Sequence, residues 1–467
     1  MLKFNPFICR EGGIFFMRVH LMGLAGAGMS ALAKLLQAEG HEVTGCDVKE
    51  PSYYHAENIT HEKGHSPEHI KKYNPEILIC SSAIDQECDE VVFAKNLSIP
   101  IFSRGLSLSM LFNSKNGIGI AGAHGKSTTT SMTGLIFSRA GLNPTIYIGA
   151  NVPDLGSNAI PGEGKIFIAE LDESDGSFEF FTPSTTIITN ADWDHVDHFP
   201  TRGDFVRAFI RFANGRKSGS PLIICAEDEG SSQVIESCDK NIGPIIRYGF
   251  GKSLEWGAYE IENISHGGIK CKISHEGSEI GELNLNVSGE HNILNALASI
   301  AAAYENDIDF ESSVEILRTF HGSERRMQIK GEYNEIIIMD DYAHHPSEMR
   351  ATLNAVKAIY PDKRIILIYQ PHRFTRTAKF LKETAQGLSL ADVAYLMPVY
   401  SAGENEISGV SSDEIINLGK NINSINFDNA INILSQVVKR GDLVLTMGAG
   451  DVYKIGELFL KHLQYEV

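Results

Sequence analysis

Residues 117–130 read Gly-Ile-Gly-Ile-Ala-Gly-Ala-His-Gly-Lys-Ser-Thr-Thr-Thr. The first five, small and apolar, read as a buried strand, and the run that follows Lys126 opens a helix reaching about Ala140. Between them Gly122, Ala123, His124 and Gly125 make a turn whose backbone amides can cradle phosphates. The Lys126 ammonium is then placed for β- and γ-phosphate oxygens and the Ser127 hydroxyl for Mg²⁺, with Thr128 beside them at the nucleotide. A strict nucleotide loop carries a further glycine five positions before Gly125, where this chain has Ile120. The match is therefore to the core of such a loop, with a variant entry. Strand, phosphate loop and helix in this order belong to α/β architectures with parallel sheets.

The same alternation extends both ways. Upstream, a strand at Met17–Met22 leads into a loop holding Gly23, Gly26, Gly28 and Ser30, a helix over 29–39 and a strand from Glu42 that ends in Asp47. Glycines there let the backbone approach a diphosphate at a helix N-terminus. Their spacing is GxxGxG rather than GxGxxG, which weakens a nicotinamide-enzyme reading. Further strands are expected at Ile77–Cys80 and Pro100–Phe102. Downstream come strands at Ile166–Glu170, Thr186–Thr189 and Leu222–Ala226, an antiparallel hairpin region between Tyr248 and Val287, and a helix over Ile293–Tyr304. A third block begins after Gly322, with strands at Ile336–Met339, Arg364–Tyr369, Val393–Met397 and Leu443–Met447. Boundaries near 112 and 321 divide the chain into units 17–112, 113–321 and 322–467.

Polar clusters follow several of these strands. Glu170-Leu-Asp172-Glu173-Ser174-Asp175 ends one, and Asn190 to His198, containing Asp194, His195 and Asp197, ends the next. Carboxylates at strand ends beside a phosphate loop are where a magnesium nucleotide needs oxygen ligands. In the third block Asp340-Asp341-Tyr342-Ala-His344-His345 and Gln370-Pro-His372-Arg373-Phe-Thr-Arg376 offer imidazoles, acids and arginines suited to anionic substrates or to a second phosphate face. The adjacent histidines lack the i, i+4 spacing of a helical zinc-protease site.

Composition excludes several classes. The 467 residues carry 41 basic and 59 acidic side chains, a net −18, without the basic excess of a nucleic-acid binder. Seven cysteines without a CxxC pair fit a reducing compartment, and neither a disulfide framework nor a zinc site is expected. The most apolar stretch, Ile14–Leu36, is broken by Arg18, His20 and Lys34, so a cytoplasmic protein without membrane insertion is expected. Residues 1–16 are unpatterned, and Glu11-Gly12-Gly13 is what a purine-rich ribosome-binding site would encode. Translation is accordingly expected to begin at Met17.

Taken together, the Gly23 loop, AHGKSTTT, DESDGSF, DHVDHF, GEHNILNA, DDYAHHP, QPHRFTRT and the Gly448-Ala-Gly-Asp451 turn resemble the ATP-dependent Mur ligases of peptidoglycan synthesis over about residues 17–460. The resemblance is closest to the branch that adds L-alanine. It implies three α/β domains: a Rossmann-like N-terminal domain for a UDP-sugar, a P-loop-type central ATPase, and a Rossmann-like C-terminal domain for the amino acid. It further implies that the lactyl carboxylate of UDP-N-acetylmuramate takes the γ-phosphate of ATP to give an acyl phosphate, which the amine of L-alanine then attacks. No protein nucleophile is needed.

By the same resemblance, Gly26, Gly28 and Ser30 face the UDP diphosphate, with Ser82 and Arg104 nearby. Lys126 holds phosphates, Ser127 and Glu173 take one Mg²⁺ and His195 a second. His291, Asn292 and Asn295 fall where adenine is contacted, and Arg326 and Asp341 reach the nucleotide from the third domain. Tyr342, His344, His345, Arg373 and Arg376 surround the amino acid and the carboxylate, with Lys126, Glu173, His195, His344 and Arg376 catalytic. Several sister ligases carry a carbamylated lysine roughly fifteen residues after the histidine; between Val196 and Gly215 this chain has none. A monomer or homodimer is expected. Two alternatives stand beside this reading: a recycling ligase that attaches a whole tripeptide, and a phosphate-loop switch without ligation chemistry.

Overall fold

The computed structural model describes residues 16–49, 59–149, 152–196, 198–264, 268–322, 325–419 and 421–465. The expected start of translation concerns a segment whose residues 1–15 lie outside that range, as does Asp197.

Among the described residues three sheets follow one another along the chain. The first contains β1 (Arg18–Met22), β2 (Glu42–Asp47), β3 (Thr60–Lys63), β4 (Ile77–Cys80) and β5 (Ile101–Ser103), all parallel, in the order β3-β2-β1-β4-β5. Helix α1 (Ala27–Ala38) follows β1, α2 (Pro67–Tyr73) and α3 (Asp89–Asn96) flank β4, and α4 (Arg104–Phe112) follows β5. The order reverses between β1 and β4, and a crevice opens beyond the carboxyl ends of strands at such a switch point.

The central sheet has ten strands: β6 (Asn116–Ala121), β7 (Thr145–Tyr147), β8 (Ala159–Ile160), β9 (Ile166–Glu170), β10 (Thr185–Ile188), β11 (Leu222–Cys225), β12 (Ile245–Phe250), β13 (Trp256–Ile264), β14 (Gly268–His275) and β15 (Ser278–Leu285). Their order is β15-β14-β13-β12-β11-β10-β6-β9-β7-β8. β6 lies centrally, parallel to both β10 and β9. β13 to β15 form the expected antiparallel region, but Tyr248 belongs to β12, which runs parallel to β11.

Helix α5 (Lys126–Arg139) is buried from Ser127 to Phe137 although half of it is hydroxyl-bearing. Thr130, Ser131 and Thr133 satisfy their hydroxyls on the carbonyls of residues 126, 127 and 129. Helices α6 (Arg202–Asn214) and α7 (Glu229–Ser237) cover one face of the sheet, while α8 (Glu290–Tyr304) and α9 (Phe310–Leu317) cover the other with α5. Alanines 296, 298 and 301–303 of α8 are buried, and Thr129 and Thr133 of α5 bond to Asn295 and Ser299 of α8.

The third sheet contains β16 (Gln328–Tyr333), β17 (Ile336–Asp341), β18 (Ile365–Tyr369), β19 (Val393–Leu396), β20 (Ile422–Ser424) and β21 (Leu443–Met447), in the order β16-β17-β21-β18-β19-β20. Only β16 is antiparallel. Helices α10 (Pro346–Ile359) and α11 (Phe374–Lys379) start just beyond β17 and β18. Among the described residues no helix is long and apolar enough to cross a membrane.

Candidate active site

The carboxyl ends of β6, β9, β10, β17 and β18 converge on a cavity of about 590 Å³ between the three units. Ala123, Gly125, Lys126, Ser127, Glu173, His195, Arg326, Tyr342, His344, Arg373 and Arg376 line it, as does Ala27, the first residue of α1. A second cavity of about 560 Å³ is lined by His124, Thr128, His291, Asn292, Asn295 and Asp341. Gly125, Arg326 and Glu348 line both. The arrangement is one polar cleft with two lobes joined at the phosphate loop.

The loop needs its glycines. Gly122 has φ +146°, and a Cβ there would stand 2.0 Å from Thr189 Oγ1; Gly125 has φ +80°, and a Cβ would meet Asn295 Oδ1 at 2.6 Å. Lys126 Nζ donates to the carbonyls of Gly122 (2.5 Å) and Ala123 (3.2 Å) and to Glu173 Oε1 (2.8 Å). Burial disfavours the ammonium, but Glu173 and Glu170 outweigh that and raise its pKa. The same Glu173 oxygen lies 3.1 Å from His195 Nε2. Glu173 Oε2 and His195 Nδ1 are buried and have no hydrogen-bond partner among the described residues. His195 sits at φ +50°, a strained region for a side-chain-bearing residue.

Ser127 Oγ donates to Glu170 Oε1 at 3.0 Å, and Glu170 Oε2 accepts the Gly149 amide at 2.7 Å. Serine, two carboxylates and an imidazole therefore surround Lys126. Oxygen-rich and partly unsatisfied, this set fits a hard divalent cation better than an apolar ligand.

On the third-unit side Arg376 is buried and makes a bidentate pair with Asp194, through Nε to Oδ1 (3.0 Å) and Nη2 to Oδ2 (3.1 Å). Burial opposes the Asp194 charge, and Arg376 nevertheless holds it well below the usual carboxylate range. Arg373, at φ +70°, pairs with Glu404 at 2.9 Å. Glu348 is a hub: Oε1 lies 3.3 Å from His124 Nδ1 and 3.5 Å from Arg326, while Oε2 accepts the amides of His344 (3.0 Å) and His345 (3.2 Å). Burial pushes His344 well below its ordinary pKa. His345 caps α10, its Nδ1 accepting the Ser347 amide, and packs against His124 and Phe380; it lines neither cavity.

In the second lobe burial, with Arg326 adding to it, lowers His291 to about 4, so the ring is neutral. Asn292 donates to the Ser288 carbonyl at 2.7 Å, and Asn295 bridges Asn292 and Thr129. Asp341 accepts the Met327 and Ala343 amides, both at 2.8 Å, and burial raises it to about 6.

The residues assigned to the sugar nucleotide are less uniform. A Cβ on Gly28 would stand 2.3 Å from Arg104 Nη1, whereas Gly26 is open apart from the Gly23 carbonyl. Ser30 is buried, with its hydroxyl on the Ala27 carbonyl. Ser82 is exposed in the turn after β4, beside Ser81, which packs under Gly23. Arg104 crosses to the central unit and pairs with Asp172 at 2.7 Å. None of Gly26, Gly28, Ser30, Ser82 and Arg104 lines the cavities. Glu170, Asp172, Asp194 and Glu348 carry much of the charge balance, yet the sequence reading gave them no individual role. The one available signal was Glu348 at the third position after a His-Pro helix start, where a capping carboxylate belongs.

Comparison with known proteins agrees with this anatomy. Residues 18–116 match the Mur ligase family catalytic domain, 120–303 the Mur ligase middle domain, and 325–450 the Mur ligase glutamate ligase domain. A UDP-N-acetylmuramate–L-alanine ligase of a Sulfurihydrogenibium species is 36% identical over 96% of this chain and 98% of its own. The enzyme of that name from Carboxydothermus hydrogenoformans is 38% identical over 94% and 95%. The solved UDP-N-acetylmuramate–alanine ligase of Thermotoga maritima superposes with a TM-score of 0.79 at 28% identity, over 97% of this chain and all of that one. A murein peptide ligase of Psychrobacter arcticus gives 0.70 at 26%, over 97% and 99%. With three successive family domains and relatives above 30% identity along nearly its whole length, the chain belongs to the Mur ligase family.

Proposed function

We propose that this protein joins L-alanine to the lactyl carboxylate of UDP-N-acetylmuramate at the expense of ATP, in cytoplasmic peptidoglycan precursor synthesis. The single observation that carries the reading is the cleft where Lys126, Glu173 and His195 of the central unit face Tyr342, His344, Arg373 and Arg376 of the third. Near-full-length identity to alanine-adding ligases supports the same substrates. Unit 17–112 would receive the sugar nucleotide, 113–321 the ATP and 322–467 the amino acid.

In this reading adenine lies in the second lobe against His291, Asn292 and Asn295, and Arg326 and Asp341 close over the nucleotide. The triphosphate runs past Gly125 into the first lobe. Lys126 exchanges Glu173 for the β- and γ-phosphates and stabilises charge on the oxygens in flight. Ser127, Glu173 and His195, with Glu170, would hold Mg²⁺, which when bound supplies charge neutralisation across the β- and γ-phosphates. Arg373 and Arg376 orient the carboxylate, and His344, neutral in its buried setting, lines the place where the amine of L-alanine arrives. The gain is positioning and preorganised electrostatics rather than covalent catalysis.

The test is ADP release with UDP-N-acetylmuramate, with and without L-alanine. Release that requires L-alanine, with UDP-N-acetylmuramoyl-L-alanine as product, is expected. Faster turnover with the tripeptide would favour the recycling ligase, which the Psychrobacter neighbour keeps in view. Phosphate release independent of any amino acid would favour a nucleotide switch.

A further inference from the structure

A second polar cluster lies inside the first unit, outside both cavities. His20 of β1, Cys46 of β2, His69 of α2 and Glu90 of α3 are all buried, and one ligating atom from each lies within 4.8 Å of the other three. His20 Nε2 and His69 Nδ1 each stand 3.2 Å from Glu90 Oε1, and Cys46 Sγ stands 3.4 Å from Glu90 Oε2. Tetrahedral zinc with bonds of about 2.0–2.3 Å places its ligand atoms roughly 3.3–3.8 Å apart. The two histidines stand close to metal-ligand spacing from Glu90 Oε1, and Cys46 does so from the other oxygen, Oε2.

Hydrogen bonds also reach the cluster from outside, from the Ser66 amide to Glu90 Oε2 (2.8 Å) and between His65 Nδ1 and Cys46 Sγ (3.2 Å), and three further features suit an ion there. His20 Nδ1 is engaged with Thr44 Oγ1 at 2.8 Å, which leaves Nε2 aimed into the cluster. Such an outer contact is what fixes the ring of a metal-bound histidine. The donors are two imidazoles, a thiol and a carboxylate, the set that suits zinc and unlike the all-oxygen set of Mg²⁺. Thiolate plus carboxylate also supply two negative charges, which neutralise a divalent cation in a buried place. Without an ion, burial and Glu90 push the Cys46 thiol far up.

We propose that His20, Cys46, His69 and Glu90 form a closed, four-coordinate structural site for Zn²⁺ or a similar borderline-soft divalent ion. The four ligands come from four separate elements, so no CxxC or HxxxH spacing announces them. The site is tied to the diphosphate loop: the Cys46 carbonyl accepts the amides of Gly23 (2.9 Å) and Leu24 (3.1 Å), and Asp47 Oδ2 accepts that of Ala25 (3.0 Å). An ion that fixes Cys46 therefore braces the loop which, on the proposed ligase reading, meets the sugar nucleotide.

The full-length protein is stripped with chelator and reconstituted with Zn²⁺ or Co²⁺, neither readout depending on ligase activity. Expected are one equivalent of Zn²⁺ per chain, a thermal midpoint raised by several degrees, and thiolate-to-cobalt charge-transfer bands with tetrahedral d–d absorption. Those bands should vanish in Cys46→Ser and persist in Cys88→Ser. His69→Asn should weaken zinc binding about 10-fold or more. Zinc uptake far below one equivalent, with no charge-transfer band in the wild type, overturns the site. So does a band that survives Cys46→Ser. Should Cys46→Ser fail to fold, the wild-type cobalt spectrum and the His69→Asn affinity decide.

Discussion

Lys126 is held charged in a buried place by Glu173 and Glu170, carboxylates that a nucleotide would displace on the proposed reading. Lys126→Ala removes the ammonium from the phosphates. We expect kcat to fall roughly 10²–10³-fold or more, measured by ADP release, with UDP-sugar binding by calorimetry little changed. Wild-type-like turnover would remove Lys126 from the mechanism. Arg376 and Asp194 pose a different question, because each is buried against the other. Deleting one leaves an uncompensated charge, at a cost of about 3–5 kcal/mol. Arg376→Ala and Asp194→Asn should therefore lower stability comparably in urea unfolding, and the double variant should lose much less than the sum. Strict additivity would mean the pair is not energetically coupled. Neither partner's role could be read from the DHVDHF and QPHRFTRT motifs, which lie 182 residues apart from Asp194 to Arg376.

At the scale of elements, each candidate cluster sits in the turn that follows a parallel strand, where the chain leaves the sheet and backbone amides face outward. The turn after β6 tolerates little change. Gly122→Ala places a side chain at φ +146° and 2.0 Å from Thr189 Oγ1. We expect it to cost about 1–3 kcal/mol, seen as a lower urea midpoint at an unchanged m-value; an unaltered midpoint would mean the turn adopts another conformation. The long buried strands and their following turns were legible because apolar runs and Gly-rich punctuation are local. β3, β7, β8, β12, β16 and β20 were not, and five of these have only two to six residues at or near sheet margins. Their pairing is stabilised by neighbours far along the chain, and so leaves little local pattern.

For the whole molecule, the decisive contacts cross between units. Arg104–Asp172 joins the first unit to the central one, and Arg376–Asp194, Ser347–Asp192 and His124–Glu348 join the central unit to the third. His124 makes the last junction pH-dependent. Burial opposes its charge, but Glu348 and Asp192 outweigh this and raise its pKa to about 10 from the ordinary 6.5. A raised imidazole pKa means the docked arrangement binds a proton that the separated units release. The stabilisation is complete below pH 6.5 and fades as pH rises toward 10. Small-angle scattering should then show the radius of gyration increasing through that alkaline range, and His124→Gln should flatten the dependence. An identical profile in the variant would place the proton elsewhere.

By itself the sequence determined the class of fold, the order of three units, the phosphate loop and most of the polar side chains that line the cleft. These are local properties: strand periodicity, glycine where the backbone must turn, and charge in the turns that follow strands. Only the tertiary structure decided which charge faces which. It matched Asp194 with Arg376, made Glu348 the hub of the junction, and gathered His20, Cys46, His69 and Glu90 from four elements. Those pairings depend on how sheets dock and on which polar groups burial leaves to satisfy one another, and no spacing along the chain records that.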